Sequence, residues 1–241
     1  MTEAKQAEIR ANVLKIRENM SAYPNANLMA VIKTRTAEEI NFAIRECGIT
    51  LVGENRVQEL LAHYEEIDRS AKIHFIGTLQ KNKVKYIIDK IDMIESLDSE
   101  SLALEIQRRA EKIGKTVSAL IEVNIGREDA KGGILPEDLE NFCLSLKKYP
   151  NISVEGLMTI APVCEDKNEY NRYFAEMNRL KNDLFPKYFP DIKSPILSMG
   201  MSGSFTQALE NHSNIVRIGE GIFGKRNPYP KKDGDNGSEN I

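Results

Sequence analysis

The chain has 241 residues, 41% of them hydrophobic, and a formal net charge of -3, enough to bury one large core or two small ones. The slight acidity argues against a nucleic-acid binder with a broad basic surface and leaves room for a local anion site. Cys47, Cys143 and Cys164 are isolated thiols without a CxxC pair, and no segment approaches the roughly 20 apolar residues of a membrane span, so neither a disulfide framework, a zinc site nor a transmembrane anchor is expected.

The polar opening, Met1-Thr2-Glu3-Ala4-Lys5-Gln6, reads as that of a soluble, unprocessed protein in a reduced, cytoplasmic setting. Ile9, Val13, Ile16 and Met20 then recur at helical spacing among charges and predict an amphipathic helix over 3–20, broken by Pro24-Asn25. Leu28-Met29-Ala30-Val31-Ile32-Lys33-Thr34 is an apolar run that ends on a lysine. Continuous runs of this kind mark parallel strands covered on both faces, and Lys33 then stands at the carboxyl end. Thr36 is placed to cap a helix whose first turn, Ala37-Glu38-Glu39, suits the positive end of the helix dipole, and Gly48 closes it.

The alternation repeats. Further strands are predicted at 49–53, 72–77, 92–97, 117–123, 153–160, 195–199 and 214–219. Helices are predicted at 56–67, at 81–89, from Asp98 or Ser99 to Lys112, from near Pro136, at 166–184 and near 205–211, with a short turn after the last strand. Eight strands alternating with helices match a single-domain (β/α)8 TIM barrel of the α/β class over residues 1–226. A doubly wound sheet is the alternative, but it would be smaller or carry an added domain. The polar stretch 227–241 reads as a disordered tail.

In such a barrel the strand ends ring one pocket. Lys33, Asn55, Asn124, Met158, Thr159, Ser202 and Arg217 fall at or near strand ends, with His74 inside the third strand. Lysine ordinarily titrates near pH 10.4. Lys33 is therefore a nucleophilic amine in a desolvated or cationic site, or simply a side chain whose head reaches water. The stretches 198–204 and 217–221 come after strands seven and eight, where barrels often hold a phosphate on glycine-exposed N–H groups. Flexible turns explain either stretch alone; together they favour phosphate. His74 is expected to be a hydrogen-bonded structural residue. Glu54 and Asn55 either contact a ligand or cap the next helix, and the 126–133 loop lacks the GxxxxGK(S/T) spacing of a nucleotide P-loop.

Six ordered segments go further: Ala30-Val31-Ile32-Lys33-Thr34, Gly53-Glu54-Asn55-Arg56-Val57-Gln58-Glu59, His74-Phe75-Ile76-Gly77-Thr78-Leu79-Gln80-Lys81-Asn82-Lys83, Gly156-Leu157-Met158-Thr159-Ile160, Leu197-Ser198-Met199-Gly200-Met201-Ser202 and Val216-Arg217-Ile218-Gly219-Glu220-Gly221-Ile222-Phe223-Gly224. This pattern resembles the pyridoxal phosphate homeostasis proteins, single-domain relatives of the alanine racemase N-terminal barrel (fold type III). The resemblance implies pyridoxal 5'-phosphate (PLP) as cofactor. Lys33 would form an internal aldimine, Arg217 would face the pyridine nitrogen, and Asn55 would lie beside the ring. Ser202 and the backbone N–H groups of Gly219 and Glu220 would hold the phosphate. An arginine at the ring nitrogen disfavours its protonation and weakens the cofactor as an electron sink.

The resemblance therefore implies a cytoplasmic, monomeric carrier that buffers PLP or delivers it through transient contact with apo-enzymes, rather than an enzyme with robust turnover. The alternative is a PLP-dependent amino-acid racemase. Related racemases add a second domain and a partner subunit, and the end of this chain soon after strand eight favours the carrier. A Schiff-base aldolase acting on a sugar phosphate explains the phosphate loops but not the six segments. Two positions depart from the family: Ile32 stands where serine is usual, and Ile73 where a tryptophan is usual. Ile32 alternates away from Lys33, so local packing rather than the amine's place is expected to change.

Overall fold

The computed structural model describes residues 1–225, and the tail expected over 227–241 lies outside the described residues. The opening helix, α1 (Glu3–Met20), begins where the Thr2 hydroxyl accepts the Lys5 N–H at 3.3 Å, and it buries the stripe Ile9, Val13, Ile16 and Met20. Eight strand-helix units come next. They are β1 (Asn27–Val31) with α2 (Ala37–Arg45), β2 (Leu51–Glu54) with α3 (Val57–His63), and β3 (Lys72–Phe75) with a 3₁₀ turn (Lys81–Lys83) and α4 (Val84–Ile87). Then come β4 (Met93–Leu97) with α5 (Glu100–Lys112), β5 (Val117–Glu122) with α6 (Leu139–Leu146), and β6 (Ile152–Met158) with α7 (Lys167–Tyr188). The last two are β7 (Ile196–Ser198) with α8 (Phe205–Glu210) and β8 (Ile215–Ile218) with the single turn α9 (Glu220–Phe223). Neighbouring strands pair in parallel and β8 returns to β1, aligning Asn27 with Ile215 and Ala30 with Ile218, so the sheet closes into a barrel.

Local chemistry sets the helix starts. Thr36 Oγ1 accepts the Glu39 N–H at 3.2 Å while the Glu39 carboxylate accepts the Thr36 N–H at 3.0 Å, a reciprocal capping box. Ser99, not Asp98, caps α5. Several boundaries differ from the periodicity, four of them informatively. β1 ends at Val31, and after a last bond from the Ile32 N–H to Gly53 O at 3.0 Å the chain turns, which leaves Lys33 in the turn. α3 stops at His63, whose carbonyl accepts the N–H groups of both Glu66 and Ile67. Pro136 lies in a turn before α6 rather than in its first turn. α7 runs through Pro186 to Tyr188, so the Asn182 carbonyl loses its i+4 donor one turn before the helix ends.

The strands sort their side chains by alternation. Outward-facing Ala30, Ile32, Val52, Ile73 and Phe75 join the helices in the main core. Both departures from the family pattern, Ile32 and Ile73, thus bury aliphatic groups on the helix side, each about 1.5–3 kcal/mol of transfer free energy. Inward-facing Met29, Leu51, Ile76 and Ile215 form one cluster inside the barrel and Met93, Leu120 and Met158 another.

Gly77 lies just past β3 against the backbone of Asn55, where a Cβ would stand 2.1 Å from the Asn55 carbonyl oxygen. Gly77→Ala is therefore expected to push the loops after β2 and β3 apart and to lower stability by roughly 1–3 kcal/mol, read by urea denaturation. Parent-like stability would show that the loops yield freely. Among the described residues no helix is long and apolar enough to cross a membrane.

Candidate functional site

At the carboxyl ends of the strands lies a cavity of about 360 Å³ lined by Val31, Lys33, Asn55, Ile76, Ile160, Met201, Ser202, Gly203, Arg217, Gly219 and Glu220. Closure of the barrel has brought Lys33, Asn55, Ser202, Arg217, Gly219 and Glu220 to one wall-to-wall site from five different loops or strands. His74, Asn124, Met158 and Thr159 do not line it. Asn124 instead ties down the 126–133 loop, donating from Nδ2 to Glu128 O at 2.9 Å and accepting the Glu128 N–H at 3.1 Å. Met158 is interior packing.

The turn that carries Lys33 is anchored by Thr34 and Arg35. Thr34 adopts a left-handed backbone with φ of 64°, unfavourable for a β-branched residue, and its N–H donates to Glu59 Oε2 on α3 at 2.7 Å. Arg35, 5% exposed, reaches across to the chain beyond α9 and donates to the carbonyls of Phe223, Gly224 and Lys225 at 3.3, 2.6 and 3.4 Å. On the far side of the cavity Ser202 Oγ accepts the Gly221 N–H at 3.3 Å, joining the loop after β7 to α9. The Lys33 turn and the two Gly-rich loops therefore form one connected rim.

Glu54 resolves one of the open alternatives. Its Oε1 accepts the N–H groups of Asn55 and Arg56 at 2.6 and 2.9 Å, so it braces the turn ahead of α3 rather than capping the helix, which has no side-chain cap, while Asn55 faces the cavity. Glu54 Oε2, Asn55 Oδ1 and Thr34 Oγ1 are buried oxygens with no hydrogen-bond partner among the described residues. Burial pushes the Glu54 carboxyl up to about 7, with Glu59 adding and the two N–H groups and Lys33 opposing.

The floor of the cavity is polar. Arg217, 4% exposed, donates from Nη1 to Ser198 Oγ at 2.8 Å and from Nη2 to Thr159 O at 2.7 Å. Ser198 Oγ in turn donates to Glu95 Oε2 at 2.6 Å, and His74 Nδ1 lies 2.6 Å from Glu95 Oε1. His74 is thus hydrogen-bonded, as its place inside a strand suggested. Burial lowers the Arg217 pKa, against the opposing pull of Glu95 and Glu122.

Glu122, at the end of β5, is pushed up to about 7 by burial, with Asp98 adding and Arg217 opposing. Between the ordinary 4.5 and about 7 the folded chain keeps a proton on Glu122 that the unfolded chain has lost, so stability falls as pH rises through that window. Glu122→Gln is expected to be roughly 1–3 kcal/mol more stable than the parent at pH 8 and close to it at pH 4.5, read by denaturation at both. A difference independent of pH would reject the assignment.

Glu95, Glu59 and Arg35 were not legible as site residues. Glu95 left one usable signal, a carboxylate two residues after Met93 and so on the same face of a mostly apolar strand, which points a charge into the barrel. No group of acidic, histidine and cysteine side chains suited to a metal occurs among the described residues.

The sequence matches the family described as alanine racemase, N-terminal domain, over residues 5–227. A pyridoxal phosphate homeostasis protein of Aquifex aeolicus is 44% identical over 202 residues, covering 83% of this chain and 87% of that one. PipY of Synechococcus elongatus superposes with a TM-score of 0.83 without PLP and 0.79 with PLP bound, at 30% and 29% identity, covering 90% of this chain and 100% of PipY in each case. The chain belongs to the alanine racemase N-terminal domain family and, within it, to the pyridoxal phosphate homeostasis proteins.

Proposed function

We propose that the chain binds PLP in this cavity, holds it as a Schiff base on Lys33, and serves intracellular PLP homeostasis by buffering the cofactor or delivering it to apo-enzymes. The observation that carries the reading is the convergence of a lysine amine, an arginine and two loops of hydroxyl and backbone N–H donors on one cavity. These donors fit the group. Ser202 with the Gly219 and Glu220 N–H groups suits a phosphate, Arg217 suits an unprotonated ring nitrogen, and the unpartnered Asn55 Oδ1 offers a polar contact beside the ring.

Bound PLP supplies an aldehyde that captures an amine and a ring that stabilises carbanions when its nitrogen is protonated. The chain's own residues support the first role more than the second. Arg217 presents a cation where protonation would be required, which disfavours that proton. Among the described residues lining the cavity, Lys33 and Arg217 are the cations, and in this reading Lys33 is taken by the aldehyde and Arg217 by the ring nitrogen. A racemase would need a further cation to hold a substrate carboxylate, so the carrier reading is preferred to the racemase.

The test is an absorbance spectrum of the purified protein with and without added PLP, then borohydride reduction and peptide mapping. A yellow protein labelled at Lys33 is expected. A protein that stays colourless in excess PLP sinks the reading, and steady amino-acid racemisation that disappears with Lys33 replaces it with the enzyme.

A further inference from the structure

We propose that Glu95 is the positioning residue for Arg217, acting through the Ser198 hydroxyl to hold the guanidinium at the cavity floor and to balance its charge. Glu95 sits in the middle of β4 between Ile94 and Ser96 and is 0% exposed. A carboxylate there would be destabilising by several kcal/mol if left alone, yet both of its oxygens have partners, His74 Nδ1 and Ser198 Oγ, each at 2.6 Å. Neither carboxylate oxygen is therefore left buried without a partner.

The direction of these bonds is set by which groups can donate. A guanidinium has only donors, so at 2.8 Å Arg217 Nη1 donates and Ser198 Oγ accepts. The single serine hydrogen is then left for Glu95 Oε2. Charge runs in one direction, from Arg217 through Ser198 to Glu95, over three strands, β8, β7 and β4. The second anchor is equally constrained. Thr159 O takes Arg217 Nη2, while Thr159 itself is held by its N–H on Ser198 O at 3.1 Å and its Oγ1 on Val123 O at 2.6 Å. With Nη1 and Nη2 both fixed from below, the guanidinium plane cannot turn toward the phosphate loops. Arg217 is thereby kept as a stationary cation at one point of the cavity wall.

This inference rests on the proposed reading that Arg217 faces the ring of bound PLP, and two measurements separate the two. The first uses the PLP-free protein: ¹⁵N NMR of the arginine side chains is expected to show slowed rotation about the Arg217 Cζ–Nη bonds in the parent and averaged signals in Glu95→Gln and Ser198→Ala. The second is PLP titration, in which each variant is expected to bind about 10-fold more weakly, the loss of one charge-assisted bond, with a shifted pH profile of the visible band. The double variant is expected to bind no more weakly than the weaker single one, because both break the same link. Parent-like Arg217 rotation in a folded Glu95→Gln variant, or parent-like affinity and band in it, overturns the proposal whatever its stability. Should Glu95→Gln fail to fold, Ser198→Ala, which keeps the carboxylate and removes one oxygen, is judged by the same two measurements. A parent protein that binds no PLP defeats the functional reading instead, while the rotation experiment still decides the role of Glu95.

Discussion

Lys33→Ala is expected to abolish the visible absorption band and most of the stabilisation conferred by PLP while leaving the unloaded protein nearly as stable as the parent. Lys33 lies past the last residue of β1, so its replacement removes no ladder hydrogen bond. The turn is anchored by its neighbours, through the Thr34 N–H on Glu59 and the Arg35 guanidinium on the chain beyond α9. A change in unloaded stability within about 1 kcal/mol is therefore expected. Ligand stabilisation is a different matter. At a PLP concentration 100 times its Kd the parent gains about 2.7 kcal/mol, and a variant whose Kd rises 100-fold or more gains about 0.4 kcal/mol or less by the same relation. Thermal unfolding with and without PLP measures both quantities. An equal PLP-dependent shift in parent and variant would show that another group captures the aldehyde, and a large loss in the unloaded state would show that Lys33 is structural.

Arg35→Met is expected to destabilise the fold by about 2–4 kcal/mol, the largest stability effect among the residues around the site. The guanidinium is nearly fully buried, stacks 5.4 Å from the Phe223 ring, and satisfies the carbonyls of Phe223, Gly224 and Lys225 as the chain leaves α9. Methionine keeps the stem and loses every donor, so the Gly224 and Lys225 carbonyls lose a charged partner and the Phe223 carbonyl keeps only Lys5, while the buried ring contact of the guanidinium is lost. Because α9 carries Glu220 and is tied to Ser202, PLP affinity is expected to fall as well. Arg10→Met is the control. Arg10 also stacks on a ring, Phe42, at 5.4 Å and donates to a carbonyl, Glu46 O at 3.3 Å, but does so on the surface, where a change within about 0.5 kcal/mol is expected. Equal losses in the two variants would mean that burial does not distinguish them.

The residues most legible in the sequence were those whose role depends on their distance to a strand end. Lys33, Asn55, Ser202, Arg217, Gly219 and Glu220 come within a few residues of a predicted strand end, and all six line the cavity. Asn124, Met158 and Thr159 come equally close to a strand end and do not line it. The last residues of a strand alternate between cavity and core, and β6 shifts its register against β5 between Ala119 and Leu120, so counting along the chain does not settle which way each side chain turns. The Lys33 turn shows the same limit in another form. The apolar run continued through Ile32, which packs against the helices and gives the ladder one last bond, its N–H on Gly53 O at 3.0 Å, so the run by itself did not show that Lys33 would lie in the turn.

By itself the sequence determined the alternation of eight strands with helices, the capped helix start at Thr36, and the set of loops that carry chemistry. These depend on spacing within a few residues, where side-chain period and backbone donors are decided locally. Only the tertiary structure decided which groups meet. Ser198 and Glu95 are 103 residues apart, and Arg35 and Gly224 are 189 apart. Their bonds exist because β8 closes on β1 and stacks the inward faces of β3, β4, β7 and β8 over a common axis. No local period encodes a partner across that axis, so the buried floor beneath Arg217 and the tether behind Lys33 emerge only once the barrel is closed.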